Sequence, residues 1–170
     1  PSLAVWSLEK SAKSEEFAVP SGLLLASAFL SINAPEDAIR VSSRVLEIDP
    51  ERAAALRMRS HAYLVAGQKE DALVDARRMR EMQPDDYQAA VMLGSILTDL
   101  GELDEAEKTY GEVKDLGARS GDPGVAARGC LALANFYDVG RKDKDRAEKQ
   151  YLDCLATYPT EPLALQLATQ

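Results

Sequence analysis

The chain has few of the residues that chemistry usually needs: one histidine, two cysteines and one tryptophan in 170 residues. A metal centre or a nucleophile–base pair requires several such groups to converge, and nothing clusters in the sequence around His61. Cys130 and Cys154 lack the spacing of a metal or redox motif. Set among helical apolar residues, they read first as small buried packing groups, with a disulfide or a reactive thiol as the alternatives. Basic excess is also missing. Twenty Lys and Arg face 28 Asp and Glu, a net charge of −8 with no long block of one sign, which excludes a nucleic-acid footprint and disfavours anionic membrane surfaces. The longest mostly apolar run, 22–30, is interrupted by Ser27 and falls far short of the ~20 residues of a membrane span, so no membrane insertion is expected. No stretch alternates apolar and polar residues, so strands are not expected. Gly121-Asp122-Pro123-Gly124 has neither a following Gly-Lys-Ser/Thr nor a preceding strand, and reads as a lengthened turn instead of a phosphate loop. No cofactor is implied.

What is present is a period. Ala4, Ala38, Ala72 and Ala106 are spaced 34 residues apart, and Gly67/Gly101 and Pro50/Pro84 repeat at the same interval. A single globular core has no reason to keep such a register, whereas a stack of similar helical hairpins does, because each contact needs the same small side chain. Within one period, Ala90, Leu93, Ile96, Leu97 and Leu100, then Leu103, Ala106, Tyr110 and Val113, recur three or four apart as one face of each of two helices broken at Gly101. Small residues at Gly94 and Ala106 permit close approach, with Leu93, Leu97 and Tyr110 filling the space beside them. The spacing predicts helices at roughly 2–13, 20–32, 35–48, 51–66, 69–82, 85–100, 103–116, 123–139, 143–157 and 161–169. Asp49-Pro50-Glu51 and Gln83-Pro84-Asp85-Asp86 read as helix starts, proline suiting a first turn and carboxylates the positive helix end. Arg77, Arg78 and Arg80 read as a solvated helix end offset by Asp75 and Glu81, with an acidic-partner patch as the alternative. The run 141–146 mixes signs evenly and reads as a hydrated turn and helix start, with Asp145 and Lys149 as a helical pair.

Leu93-Gly94, Leu97, Gly101, Ala106 and Tyr110, closed by Pro84 and Pro50 one unit apart, resemble the tetratricopeptide repeat. The preceding copy keeps Tyr63, Gly67 and Ala72 but has Arg59-Ser60 for Leu-Gly and Ala76 for the aromatic. The first copy keeps Leu25-Ala26, Phe29 and Ala38, with Asn33 at the turn glycine and Ser42 at the aromatic. The last fits through Leu133-Ala134, Tyr137, Ala147, Tyr151 and Pro159 if one residue is inserted near Gly140. Ala4 and Leu8 resemble the second helix of an earlier unit, and 162–170 the first helix of a later one. The expected organisation is therefore a single array: 1–18, then repeats at 19–52, 53–86, 87–120 and 127–161, then 162–170. A chain that opens and closes on half-repeats reads as part of a longer array, and its compartment is unreadable.

The resemblance implies an all-α, right-handed superhelix of antiparallel helix pairs, non-catalytic, binding a protein or peptide segment on a concave face lined by first helices. Mapped from the Leu-Gly positions, the inward residues are Leu23, Ser27 and Leu30; Arg57, His61 and Leu64; Gln88, Val91, Ser95 and Thr98; and Arg128, Leu131, Asn135 and Asp138. Apolar members suit ligand side chains and polar ones its backbone, although Leu30, Leu64 and Leu131 are equally suited to packing against adjacent helices. Members of the family that hold a terminal carboxylate need polar or basic groups where Leu23, Met58 and Met92 stand here. That pattern is missing, leaving Arg57, His61 and Arg128 as a partial basic set interrupted by Met92 and Ala132. Two other readings remain: a regulatory or substrate-recruiting module of a longer enzyme, and a structural array associating end to end through apolar residues such as Trp6, Leu8, Leu163, Leu165 and Leu167.

Overall fold

The computed structural model describes residues 6, 7, 10 and 17–158, and these divide into two compact units between Met82 and Gln83. In the first unit lie α1 (Ala18–Ser31), α2 (Pro35–Ile48), α3 (Ala53–Val65) and α4 (Lys69–Met82). The second holds α5 (Tyr87–Leu100), α6 (Leu103–Ser120), α7 (Pro123–Asn135), a π-helical turn Phe136–Gly140 and α8 (Lys144–Thr157). No strand occurs among the described residues. Each odd helix packs against the next even one as a hairpin, and α1 also adjoins α3, as α5 adjoins α7. The helices expected at 2–13 and 161–169 lie outside the described residues, apart from Trp6, Ser7 and Lys10, which are helical.

The periodic small residues occupy the places where paired helices meet. Ala38, Ala72 and Ala106 are fully buried and Ala147 nearly so; on the first helices Ala26, Ser60 and Ala134 are likewise sealed from solvent. The Ser60 hydroxyl donates to the Ala72 carbonyl at 2.9 Å, which places the two backbones close at that alanine. In the next hairpin a methyl at Gly94 would lie 2.8–3.0 Å from ring atoms of Tyr110, so glycine is what lets the ring lie flat on α5.

The turns repeat as strictly as the alanines. The Ala34, Gln68 and Glu102 amides donate back to the Phe29, Tyr63 and Leu97 carbonyls at 2.8, 2.8 and 2.9 Å. This six-residue closure needs a left-handed residue just before its donor. Asn33, Gly67 and Gly101 supply it at φ 58, 78 and 82°. In the last hairpin the corresponding bond runs from the Asp143 amide to the Tyr137 carbonyl, one residue longer, with Lys142 at φ 57°. The π turn Phe136–Gly140 absorbs the additional residue there, so α7 ends at Asn135 where the periodicity carried the helix to 139.

Three other expectations are corrected. Pro50 and Pro84 precede their helices, which begin at Ala53 and Tyr87; at the second, Asp86 is the cap, its carboxylate accepting from the Gln88 amide at 2.8 Å. α6 does not stop at 116 before a lengthened turn. It runs to Ser120 and leaves only the left-handed Gly121 and the N-cap Asp122 between helices. The added helical turn is held because α6 and α7 touch backbone to backbone: a Cβ at Gly117 would sit 2.2 Å from the Ala126 Cα, and one at Gly129 2.6 Å from the Lys114 nitrogen.

The cysteines are the third. Cys130 of α7 and Cys154 of α8 form a disulfide with Cα atoms 5.7 Å apart, so the first reading of them as free packing thiols does not hold. Gln150 Nε2 donates to Cys130 Sγ at 3.2 Å, covering the bond from the side. A cross-link across 24 residues is worth about 3 kcal/mol through the entropy of the unfolded chain. The double variant Cys130→Ala/Cys154→Ala is therefore expected to unfold at lower denaturant, by about 3 kcal/mol. Unchanged stability, or an intact mass showing two free thiols in the native protein, would refute the bond. Ala106→Leu, at a fully closed crossing, is expected to cost about 1–3 kcal/mol by overpacking. An unaltered Tm would place Ala106 away from the contact.

Candidate functional site

In the first unit the face of interest is carried by α1 and α3. Arg57, His61 and Ser27 are exposed there, with Leu23, Leu30 and Leu64 half-buried between them. Leu30 and Met58 pack against the core cluster of Leu25, Ala26, Phe29, Ala38, Val41 and Ala62, which leaves Leu64 as the apolar element of the α3 stripe. In the second unit α5 and α7 present exposed Gln88, Ser95, Arg128 and Asn135 around half-buried Val91, Thr98 and Leu131; Asp138 is exposed on the π turn. None of these residues is fully buried.

Two of these side chains are not as open as their letters suggest. The Thr98 hydroxyl donates to the Gly94 carbonyl at 2.8 Å, so what remains for a ligand is its acceptor lone pairs. Tyr110, below it, has its phenol raised above the ordinary tyrosine value by burial, opposed by hydrogen bonding to Thr98 and Ser95. Arg128 is oriented by a residue that the periodicity did not single out, Tyr87. Its Nη1 donates to the Tyr87 hydroxyl at 3.2 Å and its guanidinium lies 5.7 Å from the ring centroid. Gln88 Nε2 approaches the same hydroxyl at 3.4 Å. One edge of the Arg128 fork is thereby used for positioning, and α5 is joined to α7 across the face.

The sequence model of the tetratricopeptide repeat family matches residues 87–116, the span of α5 and most of α6. The α5–α6 hairpin thus matches a tetratricopeptide repeat. The protein STIP1 homolog of Dictyostelium discoideum is 27% identical over 106 residues, which are 62% of this chain and 18% of that protein. The matched region is thus under a fifth of that relative's length. Among solved structures, MamA superposes with a TM-score of 0.74 at 22% identity, covering 89% of this chain and 85% of that one. The nearly identical tetratricopeptide-like repeats assigned to a kinesin light chain of Podosopora anserina give 0.76 at 19% identity, with 89% and 80% covered. An O-GlcNAc transferase of Thermobaculum terrenum gives 0.67 at 18% identity, over 86% of this chain but 27% of the enzyme. At these identities the structural likenesses establish the fold.

Against the tetratricopeptide pattern, the α3–α4 hairpin has an ionic core. Arg59 stands where the next unit has Leu93, and it grips Asp75 with two bonds of 2.7 Å while Nη1 donates to the Ser43 hydroxyl at 3.1 Å. The Asp75 side chain is only 3% exposed. Its carboxylate is gripped by Arg59, a partner the sequence reading did not assign to it. Hydrogen bonding to Asp75 raises the Arg59 pKa further, and the guanidinium also lies 5.9 Å from the Tyr63 ring. The run read as a hydrated turn also acts structurally. Arg141 reaches back to Asp104 and to Glu107 (2.9 Å), and Glu107 accepts from the Tyr137 hydroxyl at 3.0 Å. Burial, then this hydrogen bond, raises the Tyr137 phenol above its usual value. Among the described residues no group of three His, Cys, Asp or Glu side chains is arranged for a metal ion, and no helix is long and apolar enough to cross a membrane.

Removing one partner of the Arg59–Asp75 pair strands the other in the core. Asp75→Ala is expected to destabilise by about 3–5 kcal/mol, and the double variant Arg59→Leu/Asp75→Leu by much less. Equal losses in chemical denaturation would show that the pair is not coupled.

Proposed function

We propose that this protein is a non-catalytic interaction module that holds a segment of another protein on the exposed faces of odd-numbered helices, α3 in the first unit and α5 and α7 in the second, within the repeats at 53–86, 87–120 and 127–161. Tetratricopeptide repeats in general mediate protein–protein interaction; the specific surface is our reading. The observation that carries it is the α5–α7 face, where half-buried Val91 and Leu131 lie among exposed Gln88, Ser95, Arg128 and Asn135. The exposed parts of these apolar groups would be taken out of water by a bound segment, and the polar ones around them set the register of a peptide backbone. Arg128 is held in place by Tyr87, so less side-chain entropy is lost when it meets a carboxylate. On the first unit Arg57, His61 and Leu64 offer the same mixture. The favoured ligand is a short amphipathic segment with acidic character. A role as recruiting module within a longer enzyme rests on the likeness to the transferase, of which the matched region is about a quarter.

The test is a phage-displayed peptide selection on the native protein, followed by titration of the selected peptides against variants. Arg57→Glu is expected to weaken acidic peptides several-fold and to flatten their salt dependence, and Val91→Asp to weaken binding generally. Arg78→Glu, on the exposed side of α4, serves as the control and should leave affinity intact. Loss with the control alone would move the site to the opposite face.

A further inference from the structure

A second surface, sharing no residue with the one proposed above, lies on the first unit. A cleft of about 790 Å3 runs along α1 and α2. Its α1 wall is made by Ala18, Gly22 and Leu25 and its α2 wall by Val41, Val45 and Ile48. Each set follows the i, i+4, i+7 spacing of one helix stripe, so the floor is a furrow between two helix ridges. The α1 side is low because it carries small residues, and at Gly22 it could not be higher: a Cβ there would fall 2.4 Å from Val45 Cγ2. Trp6 and Lys10 also line the cleft, with Lys10 Nζ 5.5 Å from the Trp6 ring centroid.

The rim has a sign of its own. Arg40 and Arg44 stand one turn apart on α2, Lys10 also lines the cleft, and Glu47 is the one carboxylate among its described lining residues. In a chain of net charge −8 this is a local reversal. Arg40 is engaged by Asp37 at 2.6 Å, but both side chains are about half exposed or more, and such a pair contributes little and yields readily to a competing carboxylate.

We propose that this cleft receives a helix of another protein whose apolar side chains, spaced i, i+4, i+7, lie in the furrow while carboxylates one turn apart meet Arg40 and Arg44. The furrow's helical period selects a helix over an extended strand, whose side chains on one face recur every second residue. The paired guanidinium groups select acidic flanks over basic ones. Ile48 and Trp6, exposed by 53% and 60%, supply the apolar surface that such a helix would cover.

Two capped helical peptides of about 14 residues test this, both with leucines at i, i+4 and i+7, one flanked by glutamates and the other by lysines. Trp6, the chain's single tryptophan, reports binding by a blue shift of its fluorescence. The glutamate peptide is expected to bind at least ~10-fold tighter than the lysine peptide, and Arg40→Glu/Arg44→Glu to reverse that order without lowering Tm. Ile48→Asp should weaken both, while Arg57→Glu should weaken neither, which separates this surface from the α1–α3 face. Equal affinities, or a loss confined to Arg57→Glu, would overturn the proposal. So would sedimentation showing that Arg40→Glu/Arg44→Glu merely dissolves a self-association of the free protein, since the occupant would then be a second copy.

Discussion

Two helices can cross closely only where both present almost nothing at the crossing, and in each hairpin that requirement is met by a buried alanine on the even helix and a small residue on the odd one. Ala38, Ala72, Ala106 and Ala147 are buried on the even helices, and Ala26, Ser60, Gly94 and Ala134 on the odd ones, at matching places in the four hairpins. Larger groups then fill what the crossings leave: Tyr110 lies on Gly94 in the second unit, where Ile96 and Leu97 are also enclosed, and Leu56 is enclosed in the first. Once the crossing is fixed, the outward directions of the odd helices follow, because a helix that buries one stripe has no choice about which stripe it exposes. The candidate face is a by-product of those alanines.

The fold was legible for the same reason. A period of 34 with alanine, glycine and proline in phase leaves little freedom, and even the awkward last unit was placed by its spacing, with the additional residue near Gly140 where the π turn occurs. What periodicity could not show were contacts that depart from the period. The continuation of α6 past residue 116 depends on Gly117 and Gly129 lying against a neighbouring backbone, and neither glycine recurs at the interval. The disulfide stands at positions that the preceding unit fills with buried Ala90 and Val113, so in sequence it looked like ordinary small-residue packing. The proline positions misled in another way: carboxylates and prolines together suggested a first turn, whereas Asp86 is itself the cap.

The candidate face was less legible. Which residues stand on the odd helices follows from helical phase, but how they are held does not. Tyr87 positions Arg128 across two helices 41 residues apart in sequence, and Thr98 spends its proton on its own helix. Paired departures from the pattern would have been the usable signal. Arg59 for Leu93 and Asp75 for Thr109 break the register one unit earlier and at the same offset, as expected of two charges that need each other.

That ion pair has a consequence for how such a chain can change. Both charges belong to one hairpin, with Ser43 of α2 as an accessory. A genetic exchange between repeats with its crossover in the turn ahead of α3 or behind α4 carries the pair intact, and only a serine contact is altered. A crossover at Gly67, where the turn geometry shared by the first three hairpins would otherwise permit a seamless join, delivers a buried aspartate without its arginine or the reverse. Recombination among these otherwise interchangeable hairpins is thereby confined to whole units, and their sequences are free to diverge as blocks.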